Sequence, residues 1–215
     1  MNLDNIRKIN KDLIKDGRIL SFKEQIFDLM TGSYDPMRMM IISDNTNFLS
    51  YIDNLDTEKI LTVNPNKILQ VMTEHNLSLK ELADFEKLLK NSVMAMDSLT
   101  QESSRVIVLD KLDIKGNNMI AICRLNAENS SINVNQITSI YGKKNFETFI
   151  ERTFNSGKNI YINEKTKEFV ETQGFQLPNR ISNSLYDNRI GILNKSQEKI
   201  RKFDDYIYKD FGDEI

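Results

Sequence analysis

The chain has 215 residues, of which 29 are basic and 31 acidic, giving a formal net charge of −2, with 40% hydrophobic and 28% charged residues. That length suits one well-buried domain with appendages. The charge balance excludes the strong global field of a nonspecific nucleic-acid binder, though not a local basic patch. The single cysteine, Cys123, excludes an intramolecular disulfide and a Cys-rich zinc site, fits a reducing compartment, and reads as a small buried hydrophobe.

Leu3, Ile6, Ile9, Leu13 and Ile14 recur at helical spacing with Arg7, Lys8, Lys11 and Lys15 around the rest of the axis, which predicts an amphipathic helix over 2–16. The stretch from Met1 to Gly17 alternates charge with apolar residues and is no signal-peptide core. No segment approaches the about 18 consecutive apolar residues of a membrane span, so an unprocessed chain without a membrane partner is expected. Ser21 and Glu24 have the spacing of a capping box. The helix they start is expected to bury Phe22, Ile26, Phe27 and Met30 and to stop at Gly32.

Met37 to Ile42 reads as a short buried strand, and Asp44-Asn45-Thr46 as caps for a short helix around 48–52. Asn64-Pro65 marks a helix start, since Asn accepts from free N–H groups and Pro lacks a donor that would be wasted there. That helix carries Ile68, Leu69 and Met72 and ends near His75. Ser78 and Glu81 form a second capping box, with Leu77 and Leu82 as a hydrophobic staple. It predicts a helix over 79–90 burying Leu79, Leu82, Phe85, Leu88 and Leu89, and leaves His75 between two helices.

From Arg105 the period changes. Residues 105–109 and 119–123 read as two strands joined by a hairpin loop over 113–118. A third strand is expected near 132–134, a helix capped by Asn145, carrying Phe146, Phe149, Ile150 and Phe154 and closed by Gly157, a strand at 160–162 and a helix over 165–172. Residues 181–215 read as a partly helical tail around Ile200, Phe203, Ile207 and Tyr208. Helices first and strands in the middle predict a single α+β domain, with N-terminal helices followed by a small antiparallel sheet and further helices.

Gly-rich phosphate loops, Gly-x-Ser-x-Gly elbows and His-Glu-x-x-His are all missing from the sequence. With one histidine and one cysteine, no metal site of nitrogen and sulfur ligands and no cofactor is expected. His75 is the one side chain whose ordinary pKa lies near neutrality, so it is either the imidazole acid or base of a site or a structural loop residue. Ser98 lies in Met94 to Thr100, read as a loop before the strand at 105–109, and is a turn or cap residue or a polar contact. Thr138, Ser139, Tyr141 and Lys143 sit together between an expected strand and an expected helix. They either cap and pack locally or donate to an anionic oxygen.

A series of segments strengthens the functional alternative. Phe22-Lys-Glu-Gln25, Ile60-Leu-Thr-Val63, His75-Asn-Leu77, Ser98, the Val106 to Leu109 strand, Ile137-Thr-Ser-Ile-Tyr-Gly-Lys143 and Gly174-Phe-Gln-Leu-Pro178 follow in this order. Together they resemble the phage MuF C-terminal domain family over roughly residues 21–180. That leaves an amphipathic helix at 1–20 and the tail at 181–215 outside the resemblance.

Such domains resemble the barnase, EndoU, colicin and RelE-like ribonucleases. The resemblance implies a phage or mobile-element effector or toxin that cleaves RNA without metal. It would place His75, Ser139, Tyr141 and Lys143 in catalysis, with Ser98 and Thr138 as substrate contacts. RNA, in particular one structured RNA, would be the partner, with a host or immunity protein as a second one. The expected location is the cytoplasm of a bacterial host, with virion delivery as a route. The other class of function is a non-catalytic protein that binds and inhibits a host protein such as a defence factor.

Overall fold

The N-terminal helix ends earlier than its apolar period suggests. In a computed structural model describing residues 3–75, 77–129 and 132–163, α1 spans Leu3–Asn10 and buries Ile6 and Ile9. Asn10 is extended (φ −160°), and its side chain accepts from the Asp12 N–H, so the chain continues as one 3-10 turn, Lys11–Leu13. Ile14–Lys15 (β1) and Arg18–Ile19 (β2) then pair as a hairpin. Its two linking residues, Asp16 and Gly17, both have positive φ (52° and 76°), as a type I′ turn requires.

The capping box at Ser21 and Glu24 starts α2, Phe22–Met30, with both reciprocal hydrogen bonds formed. α2 buries Phe22, Gln25, Ile26 and Leu29. Phe27 is 67% exposed and Met30 44%, so the buried stripe lies one step around the axis from the expected one. The buried Gln25 serves as a surrogate strand. Its Nε2 donates to the Ile41 carbonyl at 3.0 Å and its Oε1 accepts from the Ile41 N–H at 2.9 Å. This satisfies the free edge of β3, Met40–Ser43, which would otherwise present unpaired backbone groups.

β3 is antiparallel to β4, Leu61–Val63, and between them the expected short helix is a 3-10 turn, Asn47–Leu49. Asn64 caps α3, Pro65–Glu74, through the Asn66 N–H, and His75 closes it. The expected helix over 79–90 is two helices, α4 (Leu79–Ala83) and α5 (Phe85–Lys90). Asp84, at φ −98° and ψ 20°, interrupts them.

The strands are longer than their apolar runs: β5, Met94–Asp97; β6, Ser104–Leu112; β7, Asn118–Asn129; β8, Ile132–Lys143. α6, Phe146–Asn155, and β9, Ile160–Ile162, follow. The expectations for 165–172, 174–178 and 181–215 lie outside the described residues.

The expected small antiparallel sheet is instead a seven-stranded mixed one, in the order β3-β4-β8-β7-β6-β5-β9, with β4 parallel to β8. The class remains α+β. Its two faces carry separate cores. On the first, Ile107, Met119, Cys123, Ile137 and Ile140 meet residues of α1 to α5, among them Ile6, Ile68 and Phe85. On the second, Val106, Val108 and Ile120 pack against Phe146 and Ile150 of α6. Ile6, Ile9 and Leu13 belong to the first core, so the start of the chain is continuous with the domain's interior. Among the described residues no helix is long and apolar enough to cross a membrane.

Candidate functional site

The segment from Ile137 to Lys143, expected to lie between a strand and a helix, is the C-terminal half of β8 itself. Side chains alternate along a strand. Ile137 and Ile140 enter the first core while Tyr141 packs on the second. The alternation survives the pair Thr138-Ser139 only because the register slips there: Ile122 faces Ser139 while Cys123 faces Ile137. Such a bulge places an extra residue in one strand and re-aims its side chain, so Thr138 and Ser139 both reach the α6 side.

There they line a cleft of about 490 Å³. Its floor is made by Val106, Ile122, Thr138, Ser139 and Tyr141. One wall is the turn after β5, with Ser98, Thr100 and Gln101, and the facing wall is cationic, with Lys143, Lys144 and Arg152 beside Thr148 and Phe149. No carboxylate and no imidazole is among the described lining residues. Lys143 Nζ lies 4.4 Å from the centre of the Phe149 ring, a cation–π contact that holds the ammonium at the mouth without neutralising it. Among the described residues none of the three cations has a carboxylate partner.

The hydroxyls differ in what they can still donate. Ser139 Oγ donates to the Thr138 carbonyl at 2.8 Å and Thr138 Oγ1 to the Ile122 carbonyl at 3.3 Å, so each must break a backbone bond to serve a ligand. Ser98 Oγ accepts from the Thr100 and Gln101 N–H groups at 3.3 and 3.2 Å, which folds the turn. Among the described residues the Tyr141 hydroxyl has no hydrogen-bond partner. Burial pushes its phenol above the ordinary value, keeping it protonated at neutral pH.

Ser98, Thr138, Ser139, Tyr141 and Lys143 are thus brought together, and His75 is not. His75 ends α3, whose Ile68 and Val71 are in the first core. Its charge acts on Asp113. Asp113 in turn sits over Gly142, where an added Cβ would meet its carboxylate. Gly142 alternates with Tyr141 and Lys143, so Asp113 and His75 lie across the sheet from the cleft. Around Asp113 burial opposes the charge, but hydrogen bonds from the Asn117 side chain and backbone and from the Lys115 N–H, together with His75, hold its carboxyl below the ordinary range.

Lys144, Arg152, Gln101 and Phe149 were missed by residue-type reasoning. The Lys143-Lys144 pair was visible, and Thr148 and Arg152 stand four apart, on one helix face. Cys123 is fully buried and its thiol is pushed up to about 12 by that burial, which leaves no thiolate for chemistry. No group of three or more metal-ligating side chains occurs among the described residues.

No curated protein and no solved structure matches the chain. Residues 69–168, a narrower stretch than the 21–180 read from the sequence but one that contains every described residue lining the cleft, match the family model of the phage MuF-C-terminal domain.

Proposed function

We propose that the cleft between the sheet and α6 binds the phosphodiester backbone of RNA, and that the protein is a phage or mobile-element effector with metal-independent endoribonuclease activity. One observation carries this. Lys143, Lys144 and Arg152 converge on a single cleft with no carboxylate among its described lining residues, on a chain whose formal net charge is −2. Like charges gathered without counter-ions repel, and an anionic ligand relieves that repulsion.

In the proposed reaction the ribose 2′-hydroxyl oxygen attacks phosphorus and the bond from phosphorus to the 5′-oxygen breaks. A 2′,3′-cyclic phosphate and a 5′-hydroxyl result. Tyr141 gives its proton to the leaving 5′-oxygen and is reprotonated from solvent, while Lys143 and Arg152 stabilise the charge developing on the phosphoryl oxygens. The 2′-hydroxyl proton passes to solvent, because the described lining residues include no carboxylate or imidazole to take it. Thr138 and Ser139 contribute donors once their backbone bonds exchange, and Ser98 shapes the wall. His75 has no part in the step.

The same lack of a base favours the alternative, a non-catalytic protein that binds and inhibits a host protein. Purified protein incubated with total RNA in EDTA separates the two, beside Tyr141→Phe, Lys143→Ala and His75→Ala variants. The expected result is cleavage that falls about 10²-fold or more in Tyr141→Phe and is unchanged in His75→Ala. No cleavage of any RNA, or full activity in both Tyr141→Phe and Lys143→Ala, would sink the ribonuclease reading.

A further inference from the structure

The cleft floor has a second cationic end. Along the ladder of β7 and β8, Asn118 pairs with Lys143, Ile120 with Tyr141, Ile122 with Ser139 and Arg124 with Gln136. Lys143 stands at one end of this run and Arg124 at the other, with Tyr141, Ser139 and Ile122 of the floor between them. Strand parity fixes the face. Met119, Ala121, Cys123 and Leu125 enter the first core, whereas Ile120 and Ile122 belong to the second, so Arg124 emerges on the α6 side, the side of the cleft. It is exposed. Its lateral neighbours in the sheet, Ser104 and Gln136, are uncharged, and it makes no ion pair among the described residues. Arg105 shows the contrast. It pairs with Cys123 and shares the first face with Ile107, where it is buried and its Nε meets Asp97 Oδ1 at 3.2 Å. The fold gives a carboxylate to the arginine it buries, and Arg124 has none among the described residues.

We infer that Arg124 is a second phosphate subsite, and that the ligand of the cleft is a single strand of several nucleotides laid along β7 and β8, not a mononucleotide or free phosphate. This rests on the phosphate-binding reading of the same cleft. The six residues from Asn118 to Arg124 span about 20 Å of strand at about 3.3 Å each. One phosphate cannot touch both ends. A nucleic-acid strand can, because its charges repeat along the backbone and a cationic track follows them whatever the bases. Between the two ends Thr138, Ser139, Ile122 and Tyr141 are uncharged, so the strand crosses hydroxyl and apolar groups from one cationic anchor to the other. Strands too short to reach Arg124 meet the three cations of the cleft alone.

The test is competition anisotropy with the full chain in EDTA. A labelled 2′-O-methyl oligouridylate, which lacks the attacking hydroxyl, is displaced by unlabelled 2′-O-methyl strands. One is the dinucleotide, which carries a single phosphate, and the other is the octanucleotide, which reaches both ends. The octanucleotide is expected to bind more tightly. Arg124→Ala weakens it about fivefold, the upper worth of an exposed ion pair, and leaves the dinucleotide unchanged. Arg124→Lys keeps the charge and most of the octanucleotide affinity. Arg152→Ala weakens both strands.

An octanucleotide affinity unaltered in Arg124→Ala, an equal loss for the dinucleotide, or an Arg124→Lys variant as weak as Arg124→Ala would overturn this inference. If Arg152→Ala still weakens both strands, phosphate binding in the cleft stands without the second subsite. No binding of any strand overturns both.

Discussion

Removing one cation from the cleft should change how RNA binding responds to salt, and by a calculable amount. Arg152 is the informative residue: its side chain is exposed, and no described hydrogen bond or ion pair depends on its guanidinium, so Arg152→Ala leaves the fold intact. Each phosphate neutralised on a single strand releases counter-ions and contributes about −0.7 to the slope of log K against log salt. Three cations on three phosphates give a slope of about −2, and two give about −1.4. Raising salt from 50 to 200 mM should then weaken wild-type binding about 18-fold and the variant about 7-fold. Anisotropy of a labelled single-stranded RNA across that range reads both slopes directly. The net charge of −2 supplies no attractive background to mimic the effect. A wild-type slope near zero, or identical slopes in the two proteins, would refute the cationic wall as the phosphate site.

Three further outcomes test the framework around the cleft. Gly142→Ala places a Cβ 2.5 Å from Asp113 Cγ. Asp113 cannot swing away without losing the 2.8 Å bonds its carboxylate accepts from the Lys115 and Asn117 N–H groups, so a loss of about 2–3 kcal/mol is expected by urea denaturation; wild-type stability would show that the β6–β7 loop yields. Glu81 is held down to about 2 by the Lys111 ammonium and the Ser78 N–H. A depressed carboxyl stabilises the fold above its ordinary pKa and stops doing so as pH falls through the folded value. Glu81→Gln should therefore be less stable than wild type at pH 7, with the gap closing between about pH 4.5 and 2; a gap constant with pH would contradict the Lys111 pairing. Ile6→Ala should cost about 2–5 kcal/mol as a fully buried truncation, whereas a separable N-terminal helix would show no change in the denaturation midpoint.

Local signals in the sequence are legible at most positions where one or two side chains decide the backbone. Both capping boxes form with reciprocal hydrogen bonds, and Asn64-Pro65 starts its helix as expected. Errors arose where the deciding partner lies far along the chain. Leu61–Val63 is too short to announce itself as a strand, and only its parallel pairing with Asn135 to Ile137 makes it one. Met94–Asp97, expected to be loop, is a strand between β6 and β9. Asn145 was expected to cap α6, but it adopts a left-handed conformation (φ 50°) and its side chain makes no cap bond. Leu79, expected inside, is 47% exposed, because the break at Asp84 changes which face of the α4–α5 pair meets the core.

The pairing of His75 with the hydroxyl cluster failed to assemble for a reason that sharpens what the cluster is. Order along the chain and residue type both favoured it, but neither says on which face of a sheet a side chain emerges. That is set by strand parity and by the bulge at Thr138, which depends on how β7 and β8 align. With parity known, α3 and His75 belong to the side where five helices bury the first core. The cleft belongs to the side where, among the described residues, α6 is the one helix packed on the sheet. Among the described residues one helix faces seven strands, so the polar residues beside it line a cleft instead of a core. Thr138, Ser139, Tyr141 and Lys143 are thus tolerated by the fold without being required by it. The same holds for Lys144 and Arg152, which make no ion pair among the described residues. Like charges that no described carboxylate neutralises are what the proposed anion-binding role rests on.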